Sequence, residues 1–504
     1  MRHVKTTFAV IGFALSACTV DLQDLTSSEM DTINKSDRAK ITEQVDPVGS
    51  ILTLDEAVAR ALKYNLDQRV LNLEQSLSSD ELESGKYDML PTLLAKAGYD
   101  WRDNFSHRWT GDYIDANTTP PANVEPTPPS VSVEPKHTTA SLALSWNILD
   151  FGASYYTAKQ NSSRLMIANE RRRKSMHTLV QDVRATYWRA LASETLARRV
   201  KDTISSAEKA LNDSRQLSGD MMNSPETALR YQRNLLENLR LLESVEQDLA
   251  IARHELINLI GAQQGTRFKL VEPKADVTPL RVSMQKLEQH ALLNNADLRT
   301  AFFDARIASE EARKAILKLM PGISFDVGYY GDSDRYLVNN QWSAAGLNVS
   351  YNLFNLLSAD SRRNLAQKTE DLAEARRMAL QMTVVTQVHL ATHEYTDALA
   401  QYSRADQIYK VDKRLEEIVR VKNSSNTAGE QAVIAANVTA ILSELRRYQA
   451  MAKFQKATGY LHATLGMEPV IGSVDDFSLE QLTDSVGVWL DLKVQNGQFE
   501  IAKE

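Results

Sequence analysis

The chain repeats one series of landmarks in its two halves, and such a duplication restricts the possible folds more strongly than composition does. A helical pattern with a capping box at Thr53 and Glu56 runs to Pro91, and a segment from Ser283 to Pro321 matches it. The offset between the two segments is a constant 230 (65 to 295 and 91 to 321). We therefore predict two copies of one structural repeat.

A second landmark recurs at a shorter offset. Residues 145–150 match residues 350–355 at an offset of 205 (145 to 350), so the first copy carries extra residues before this landmark. The surplus lies between Thr118 and Pro135, where Pro and Thr are abundant and neither a helix nor a central strand is favoured. We predict a long polar loop there, with a domain linker as the alternative.

Each copy contains two segments in which apolar and polar residues alternate, the pattern of a strand with one apolar face. These segments are Ala95 to Arg102, Ala140 to Ile148, Ile323 to Tyr330 and Gly346 to Leu353. Each is close to the ~9–11 residues that a tilted strand needs to cross a bilayer, and aromatic residues near the ends suit interfacial girdles. A soluble antiparallel sheet with one wet face has the same alternation, so the pattern alone leaves both interpretations open.

The longest predicted elements are two helices of roughly 65 residues, each roughly 100 Å long at ~1.5 Å per residue. They run from Gly152 to about Ser218 and from Leu357 to about Ser424. The shorter predicted helices are 54–90, Glu226–Ile260, 284–320 and Glu430–Leu465. Since long helices need partners along their whole apolar stripe, we predict that each repeat places one long helix antiparallel to two short ones stacked end to end.

The strand count sets the expected assembly. Single-chain membrane barrels start at about eight strands, and open strand edges are not tolerated in lipid. Four strands per chain therefore have to be completed by other copies. We predict a mainly α fold with a small β part: a long α-helical barrel plus four transmembrane β-strands per protomer, completing a 12-stranded barrel in a homotrimer.

The first residues have the organisation of a targeting segment. A basic start precedes the short apolar run Phe8–Leu15 and small residues, as in a secretory signal peptide. Leu15-Ser16-Ala17-Cys18 also resembles the bacterial lipobox, and Cys18 is the one cysteine of the chain. We predict cleavage before Cys18 and attachment of lipid, palmitate included, to it; an ordinary signal peptide with an incidental cysteine is the alternative. By resemblance to enterobacterial lipoproteins, Thr19 after the cysteine favours the outer membrane.

Composition narrows the function classes. One cysteine excludes an internal disulfide framework and a Cys-rich zinc or iron–sulfur site, and a net charge of −7 argues against a nucleic-acid binder. No Ser/His/Asp constellation and no phosphate-cradling glycine motif occurs. We therefore expect no enzyme activity, no catalytic residues and no cofactor.

These features resemble the TolC-type outer-membrane efflux protein family, and the likeness covers nearly all of the chain beyond the signal. Its motifs are weak singly and specific in their order and duplication. They are Leu54-Asp55-Glu56-Ala57-Val58, Trp146-Asn147-Ile148-Leu149-Asp150-Phe151-Gly152, Tyr351-Asn352-Leu353-Phe354-Asn355 and Ala252-Arg253-His254-Glu255-Leu256-Ile257-Asn258-Leu259-Ile260-Gly261.

The resemblance implies a passive trimeric channel that spans the outer membrane and the periplasm. It would be the outer-membrane exit duct of a tripartite efflux pump or a type I secretion system. Its partners would be a periplasmic adaptor (membrane fusion) protein and an inner-membrane pump or ABC exporter. The implied organisation is a signal peptide at 1–17, a lipidated N-terminal extension at 18–52, repeats at 53–282 and 283–466, and a C-terminal equatorial tail at 467–504. Residues 262–282 would join that tail in a belt around the tunnel.

In the family the two helix–helix turns, here about 217–225 and 422–429, form a periplasmic entrance that is gated by a coil-to-coil movement and docked by the adaptor. The resemblance assigns this tip, gate and docking role to Gly219, Asp220, Ser224, Glu226, Asn423, Thr427, Gly429 and Glu430.

The chain departs from the family pattern at these tips. Ser218 precedes Gly219, the second tip lacks that glycine pattern, and Glu226 and Glu430 stand where an aspartate is usual. The adaptor contact and any acidic ring therefore stay open. Three Glu430 side chains in a ring would favour cations by focusing the field, whereas a capping box with Thr427 is the alternative role.

Two further clusters have simpler explanations. His389 and His393 have a spacing that zinc ligands use. The metalloprotease motif, however, needs a glutamate directly after the first histidine, and Glu394 follows the second, so we predict a solvated helix face and no metal site. The basic run from Arg171 to Lys174 lies in a predicted helix of an exported chain, where a solvated face or an interprotomer contact is expected.

Two other function classes share some of these features. A periplasmic coiled-coil adaptor or scaffold is the main alternative, although an adaptor contains one hairpin flanked by lipoyl-like and barrel β-domains, not two repeats with paired strands. An envelope hydrolase is disfavoured because no catalytic constellation is present.

Overall fold

The computed structural model describes residues 24–108, 130–217, 225–274, 277–425, 430–467 and 477–495, together with Val474. The helices are α1 (Ser27–Gln44), α2 (Leu54–Tyr64), α3 (Leu66–Tyr87), α4 (Ile148–Leu217), α5 (Pro225–Leu259), α6 (Met284–Asn294), α7 (Ala296–Leu317), α8 (Phe354–Ser424), α9 (Glu430–Leu465) and α10 (Leu479–Gln495). The strands are β1 (Ile51–Leu52), β2 (Thr92–Trp101), β3 (Ser106–Arg108), β4 (Ser130–Val133), β5 (Lys136–Asn147), β6 (Lys269–Leu270), β7 (Gly322–Asp332) and β8 (Gln341–Ser350).

The four predicted strands form one antiparallel sheet in the order β2-β5-β7-β8. The register pairs apolar residues with apolar residues: Leu93 lies opposite Leu144, which lies opposite Val327 on the next strand. Further along, Phe325 pairs with both Trp146 and Leu347. Because paired residues in an antiparallel sheet project to the same side, the apolar face predicted for each strand continues across all four.

The helices form a single row below the sheet. In the first repeat, helices of 11, 22 and 35 residues accompany the 70-residue α4; in the second, helices of 11, 22 and 36 residues accompany the 71-residue α8. Helix α4 packs between α3/α5 on one side and α7/α9 on the other, and α8 packs on the far side of α7/α9. The predicted arrangement of one long helix against two short ones is therefore confirmed in both repeats.

The continuous helices predicted at 54–90 and 284–320 are each divided in the structure. Asn65 ends α2 and begins α3, and its side-chain oxygen accepts a hydrogen bond from the Gln68 N–H at 3.1 Å. Asn295 does the same between α6 and α7, accepting from the Leu298 N–H at 3.0 Å. The prediction of unbroken helices was wrong here because asparagine is a strong N-cap that competes with helix continuation.

These breaks are joints between helices. Asn65 donates to the carbonyl of Leu259 at the end of α5, at 3.4 Å, and Asn295 donates to the carbonyl of Thr464 in the last turn of α9, at 2.9 Å. The ends of α5 and α9 turn through Gly261 (φ 68°) and Gly466 (φ 69°). The C-terminal carbonyls of one helix thus meet the N-cap of the next, where the two helix dipoles attract.

Smaller elements surround the middle of the row. Strands β1 and β6 pair in parallel, and α10 packs on α2, which itself packs on α4. The Tyr187 hydroxyl lies 2.9 Å from the Leu52 carbonyl oxygen and 2.8 Å from the Val271 carbonyl oxygen, so α4 is tied to this layer, which we call the belt. Burial raises the pKa of Tyr187 well above its ordinary value.

Six elements were not predicted: α1, α10 and the short strands β1, β3, β4 and β6. The N-terminal extension contains α1, whose residues are nearly all exposed, and the tail contains α10. The stretch predicted as a loop from Thr118 to Pro135 contains β4, which pairs with β3; residues 109–129 lie outside the described residues.

Candidate functional site: an apolar sheet face above a row of helices

The sheet has one apolar face, and in the two central strands, β5 and β7, that face is the more exposed one. In β5, Leu142 and Leu144 are exposed, whereas Thr139 and Ser141 on the opposite face are half-buried. Soluble sheets have the reverse pattern, since they bury their apolar face against a core. The large side chains exposed on the apolar face are Leu93, Tyr99, Trp101, Leu142, Leu144, Trp146, Phe325, Val327, Tyr329, Leu347 and Val349.

The size of this face is unusual for a protein in water. Leu93 is 63% exposed, Val327 55% and Leu347 62%. Contiguous apolar patches on soluble monomers rarely exceed a few hundred Å² and mark contact with another protein or with a membrane. The soluble-sheet interpretation of the alternation therefore does not fit the side chains of this face.

The opposite face carries hydrogen-bonded polar side chains. Asp326 on β7 accepts from the Ser145 hydroxyl of β5 at 2.6 Å and from the Asn348 amide of β8 at 2.9 Å. Near the other end of the sheet, His137 Nε2 lies 3.7 Å from Asp100 Oδ2 and 3.9 Å from Asp332 Oδ2. These charged groups make this side suited to contact with water and solutes.

The junction between sheet and helices is built alike in the two repeats. The Asn147 side chain accepts from the Leu149 N–H at 2.8 Å, and the Asn352 side chain accepts from the Phe354 N–H at 3.1 Å. Each asparagine side chain thereby stabilises the turn that leads from its strand into a long helix. At Gly152 an added Cβ would lie 2.6 Å from Leu317, so this glycine permits the close approach of α4 and α7.

The two outer positions of the helix row expose apolar stripes. On α3 the exposed residues are Leu66, Val70, Leu73 and Leu77, and on α8 they include Ile408, Val411, Leu415 and Ile418. Both sets recur at three-to-four spacing, which places each on one helix face. The row thus ends on both sides in surfaces that are suited to bind another helix.

Buried polar contacts fix the spacing inside the row. Arg184 of α4 donates to the Gln455 side chain of α9 from Nε at 3.0 Å, and burial lowers the pKa of Arg184 to about 10. Arg199 of α4 reaches both Glu416 of α8, at 3.2 Å, and Glu444 of α9. Because one side chain contacts two further helices, sliding of α8 and α9 past α4 would break these ion pairs.

The helix tips are only partly described. Gly219, Asp220, Ser224, Thr427 and Gly429 lie outside the described residues. Glu226 is in the first turn of α5, exposed and paired with Arg230 at 2.8 Å. Asn423 is exposed in the last turn of α8, and Glu430 is the first residue of α9, with its side chain outside the description. The described residues therefore leave the tip, gate and docking assignment a prediction, and Cys18 also lies outside the described residues.

The histidine pair does not converge on one point. His389 Nε2 lies 2.8 Å from Glu288 of α6, whereas His393 Nε2 lies 3.4 Å from Asp397 on its own helix. Among the residues that the structure describes, no group of three or more His, Cys, Asp and Glu side chains is arranged to hold a metal ion. Within the same residues, no helix combines the length and the apolar character needed to cross a membrane.

The basic run makes contacts inside the protomer. Arg173 pairs with the buried Glu170 at 2.6 Å and donates to the carbonyl oxygens of Asn294 and Gly466, and Lys174 pairs with Asp297 at 2.8 Å. The expectation of a solvated face or an interprotomer contact was therefore wrong for Arg173, which clamps the joint between α9 and α7, whereas Lys174 is exposed, as expected for a solvated face.

Sequence reasoning missed the joint residues and the stacked pair Tyr330 and Trp342 on the polar face of the sheet. The joints were detectable, because Asn65 and Asn295 differ by the offset of 230 and Gly261 and Gly466 by the offset of 205 (261 to 466). Repetition of an asparagine and a glycine at the offsets of the duplication was the available signal.

Comparison with solved structures finds the same fold in outer-membrane channels. The Campylobacter jejuni CmeC outer membrane channel has a TM-score of 0.63 and 14% identity, over 89% of this chain and 90% of that chain. A membrane protein from Pseudomonas aeruginosa has a TM-score of 0.62 and 16% identity, over 87% and 94%. The open state of the Neisseria gonorrhoeae MtrE outer membrane channel has a TM-score of 0.60 and 15% identity, over 82% and 88%.

No family model and no curated protein matches the sequence. The solved structures nevertheless establish the architecture: the chain has the fold of these outer-membrane channels. The resemblance to the TolC-type family is thereby confirmed at the level of the fold.

Proposed function

We propose that this protein, whose fold is that of the outer-membrane channels, is a passive exit duct of the outer membrane. Its four strands cross the lipid, and its helices extend the duct into the periplasm. The observation that carries this proposal is the exposed apolar face of the sheet, on which Leu142, Val327 and Leu347 have no core to pack against. Lipid is the environment in which such a face is stable.

We propose further that three copies share one pore. Strands β2 and β8 are the outer strands of the sheet, and α3/α5 and α8 are the outer positions of the helix row, in the same order. A neighbouring copy would pair its β2 with β8 and lay its α3 and α5 against α8. This closes the strand edges and covers both apolar stripes at once, which supports a ring over an open sheet.

The remaining features of the duct follow from the family resemblance. The signal at 1–17 would direct export, and lipid on Cys18 would anchor the extension that contains α1. Residues 53–282 and 283–466 are the two repeats, and 467–504 joins the belt. The partners are a periplasmic adaptor protein and an inner-membrane pump or ABC exporter, in either a tripartite efflux pump or a type I secretion system. The duct itself performs no catalysis.

The helix tips are the proposed entrance and docking surface. Glu226 and Asn423 are both exposed at the ends of their helices, opposite the sheet. Cross-linking tests this placement: a photoreactive residue at Glu226 is expected to capture the adaptor, whereas one at the exposed Arg240, about 21 Å further along α5, serves as the control. Equal capture at both positions would contradict docking at the tip.

A periplasmic coiled-coil adaptor or scaffold is the alternative function. It accounts for the helices but leaves the apolar face of the sheet in water. Planar bilayers separate the two proposals: a duct gives discrete, reproducible conductance steps from the purified protein, and a scaffold gives none.

A further inference from the structure

Two aromatic side chains lie on the polar face of the sheet. Tyr330 of β7 and Trp342 of β8 are cross-strand partners, and their rings stack with centroids 5.7 Å apart and planes 15° apart. The Tyr330 ring lies over Gly328, where an added Cβ would come within 2.7 Å of ring atoms. Only glycine at 328 lets the ring lie flat against the backbone.

Contact with lipid headgroups does not explain this pair. The aromatics that suit an interfacial girdle, Tyr99, Trp101 and Tyr329, alternate with polar residues and belong to the apolar face. Tyr330 and Trp342 belong to the opposite face, and Trp342 is still 42% exposed there. An exposed indole on the water-facing side is suited to contact a solute.

Three carboxylates lie on the same face of the sheet as the stack. Asp332 is two residues from Tyr330 on the same strand and face, about 6.6 Å along β7 at the usual rise. Asp326 lies on that face in the other direction, and Asp100 lies across the sheet beside His137. The only lysine or arginine of this face within the four strands is Lys96 on β2, which is two strands away from Tyr330 in the same row.

Electron-rich ring faces beside carboxylates attract organic ammonium ions through cation–π and Coulomb interactions. We propose that Tyr330, Trp342 and Asp332 form a weak binding site for organic cations at the outer end of the pore. The inference rests on the proposed function, because the polar face is a pore wall only in the assembled duct. It adds a substrate preference that the resemblance does not assign.

The competing explanation is purely structural. A stacked cross-strand pair stabilises a hairpin by roughly 0.2–1 kcal/mol without binding any ligand. Stabilisation of the hairpin predicts lower stability in variants of the pair and no effect on solute passage. A cation site predicts an effect on passage that depends on the charge of the solute.

The test measures block of single-channel current by benzyltrimethylammonium in planar bilayers, with benzenesulfonate as the anionic counterpart. Benzyltrimethylammonium is expected to block the wild-type protein in a concentration-dependent manner, and benzenesulfonate is expected to block far less. Trp342→Leu is expected to raise the half-blocking concentration at least threefold. The matched control is Trp101→Leu, which removes an exposed tryptophan from the apolar face at the same end of the sheet; its block is expected to equal that of the wild type.

A second variant, Asp332→Asn, tests the cation site if Trp342→Leu does not insert into the bilayer. Asp332→Asn leaves the stack intact and is also expected to weaken the block. Equal block of wild type, Trp342→Leu and Asp332→Asn would overturn the cation site while leaving the duct in place. Equal block by the cation and the anion would overturn it as well. Absence of any channel events from the wild type would instead refute the proposed function.

Discussion

A lysine placed on either face of one strand distinguishes a lipid-facing sheet from any other arrangement. Ser141 and Leu142 are neighbours near the middle of β5, which spans 12 residues. At about 3.3 Å per residue the strand is roughly 40 Å long, and Leu142 is about 20 Å from its start. Leu142 therefore lies close to the proposed bilayer midplane, with its side chain on the apolar face.

The two substitutions are expected to differ strongly in free energy. A lysine on the lipid face at the midplane costs about 2–4 kcal/mol per strand, so Leu142→Lys costs about 6–12 kcal/mol in a trimer if the sites are independent. Ser141→Lys projects the same charge to the polar face, where water solvates it; repulsion from Lys96 directly opposite is the main penalty, and the expected cost is roughly 0.2–1 kcal/mol per strand.

Urea unfolding in lipid vesicles, followed by tryptophan fluorescence, measures the difference. The midpoint of Leu142→Lys is expected to fall well below that of the wild type, or the trimer is not formed, while Ser141→Lys stays near the wild type. Equal losses in the two variants, or a larger loss for Ser141→Lys, would refute the assignment of the apolar face to lipid.

Three further predictions concern the joints and the belt. Gly466→Ala forces an alanine into the αL conformation and against a neighbouring carbonyl, which together cost about 2–4 kcal/mol, whereas Gly265→Ala (φ 92°, open space) carries only the backbone strain of about 1–2 kcal/mol. The Tm should therefore fall further for Gly466→Ala, and equal Tm values in the two variants would contradict the close packing at the joint. Tyr187→Phe removes the hydroxyl that lies between the carbonyls of Leu52 and Val271 and should cost about 1–3 kcal/mol, seen as faster amide exchange in the belt. Unchanged exchange would contradict this. Burial and the hydrogen bond to Asp46 raise the pKa of Tyr64 to about 12. The stability that this contact contributes is therefore fully present below pH ~10 and is lost as the pH rises through the folded-state pKa. Tyr64→Phe should flatten the alkaline fall of Tm, and an unchanged fall would count against the contact.

The large elements were predictable because their periodicity is long and local. The two long helices begin and end within four residues of the predicted bounds (148 against 152 is the largest difference), and the four strands overlap the alternating segments. The apolar face also followed from the alternation, since a period of two leaves no choice of side once the register is set. What alternation did not settle was whether that face is covered, which depends on tertiary contacts.

The missed features depend on contacts between distant residues. Strands β1 and β6 have two residues each and pair across more than 200 positions (51 to 269), which no local pattern signals. The break at Asn295 is stabilised by the carbonyl of Thr464, far along the chain, and the apolar pattern passes through it without interruption. Arg173 was misread for the same reason, because its partners lie on other helices.

The central claim is that three chains complete one barrel and one helical tunnel. Native mass spectrometry of the detergent-solubilised protein, together with the symmetry of its particles in electron micrographs, tests this claim most directly. We expect a mass of three lipid-modified chains and particles with threefold symmetry along a central pore. A stable monomer or dimer, or particles without a pore, would contradict it.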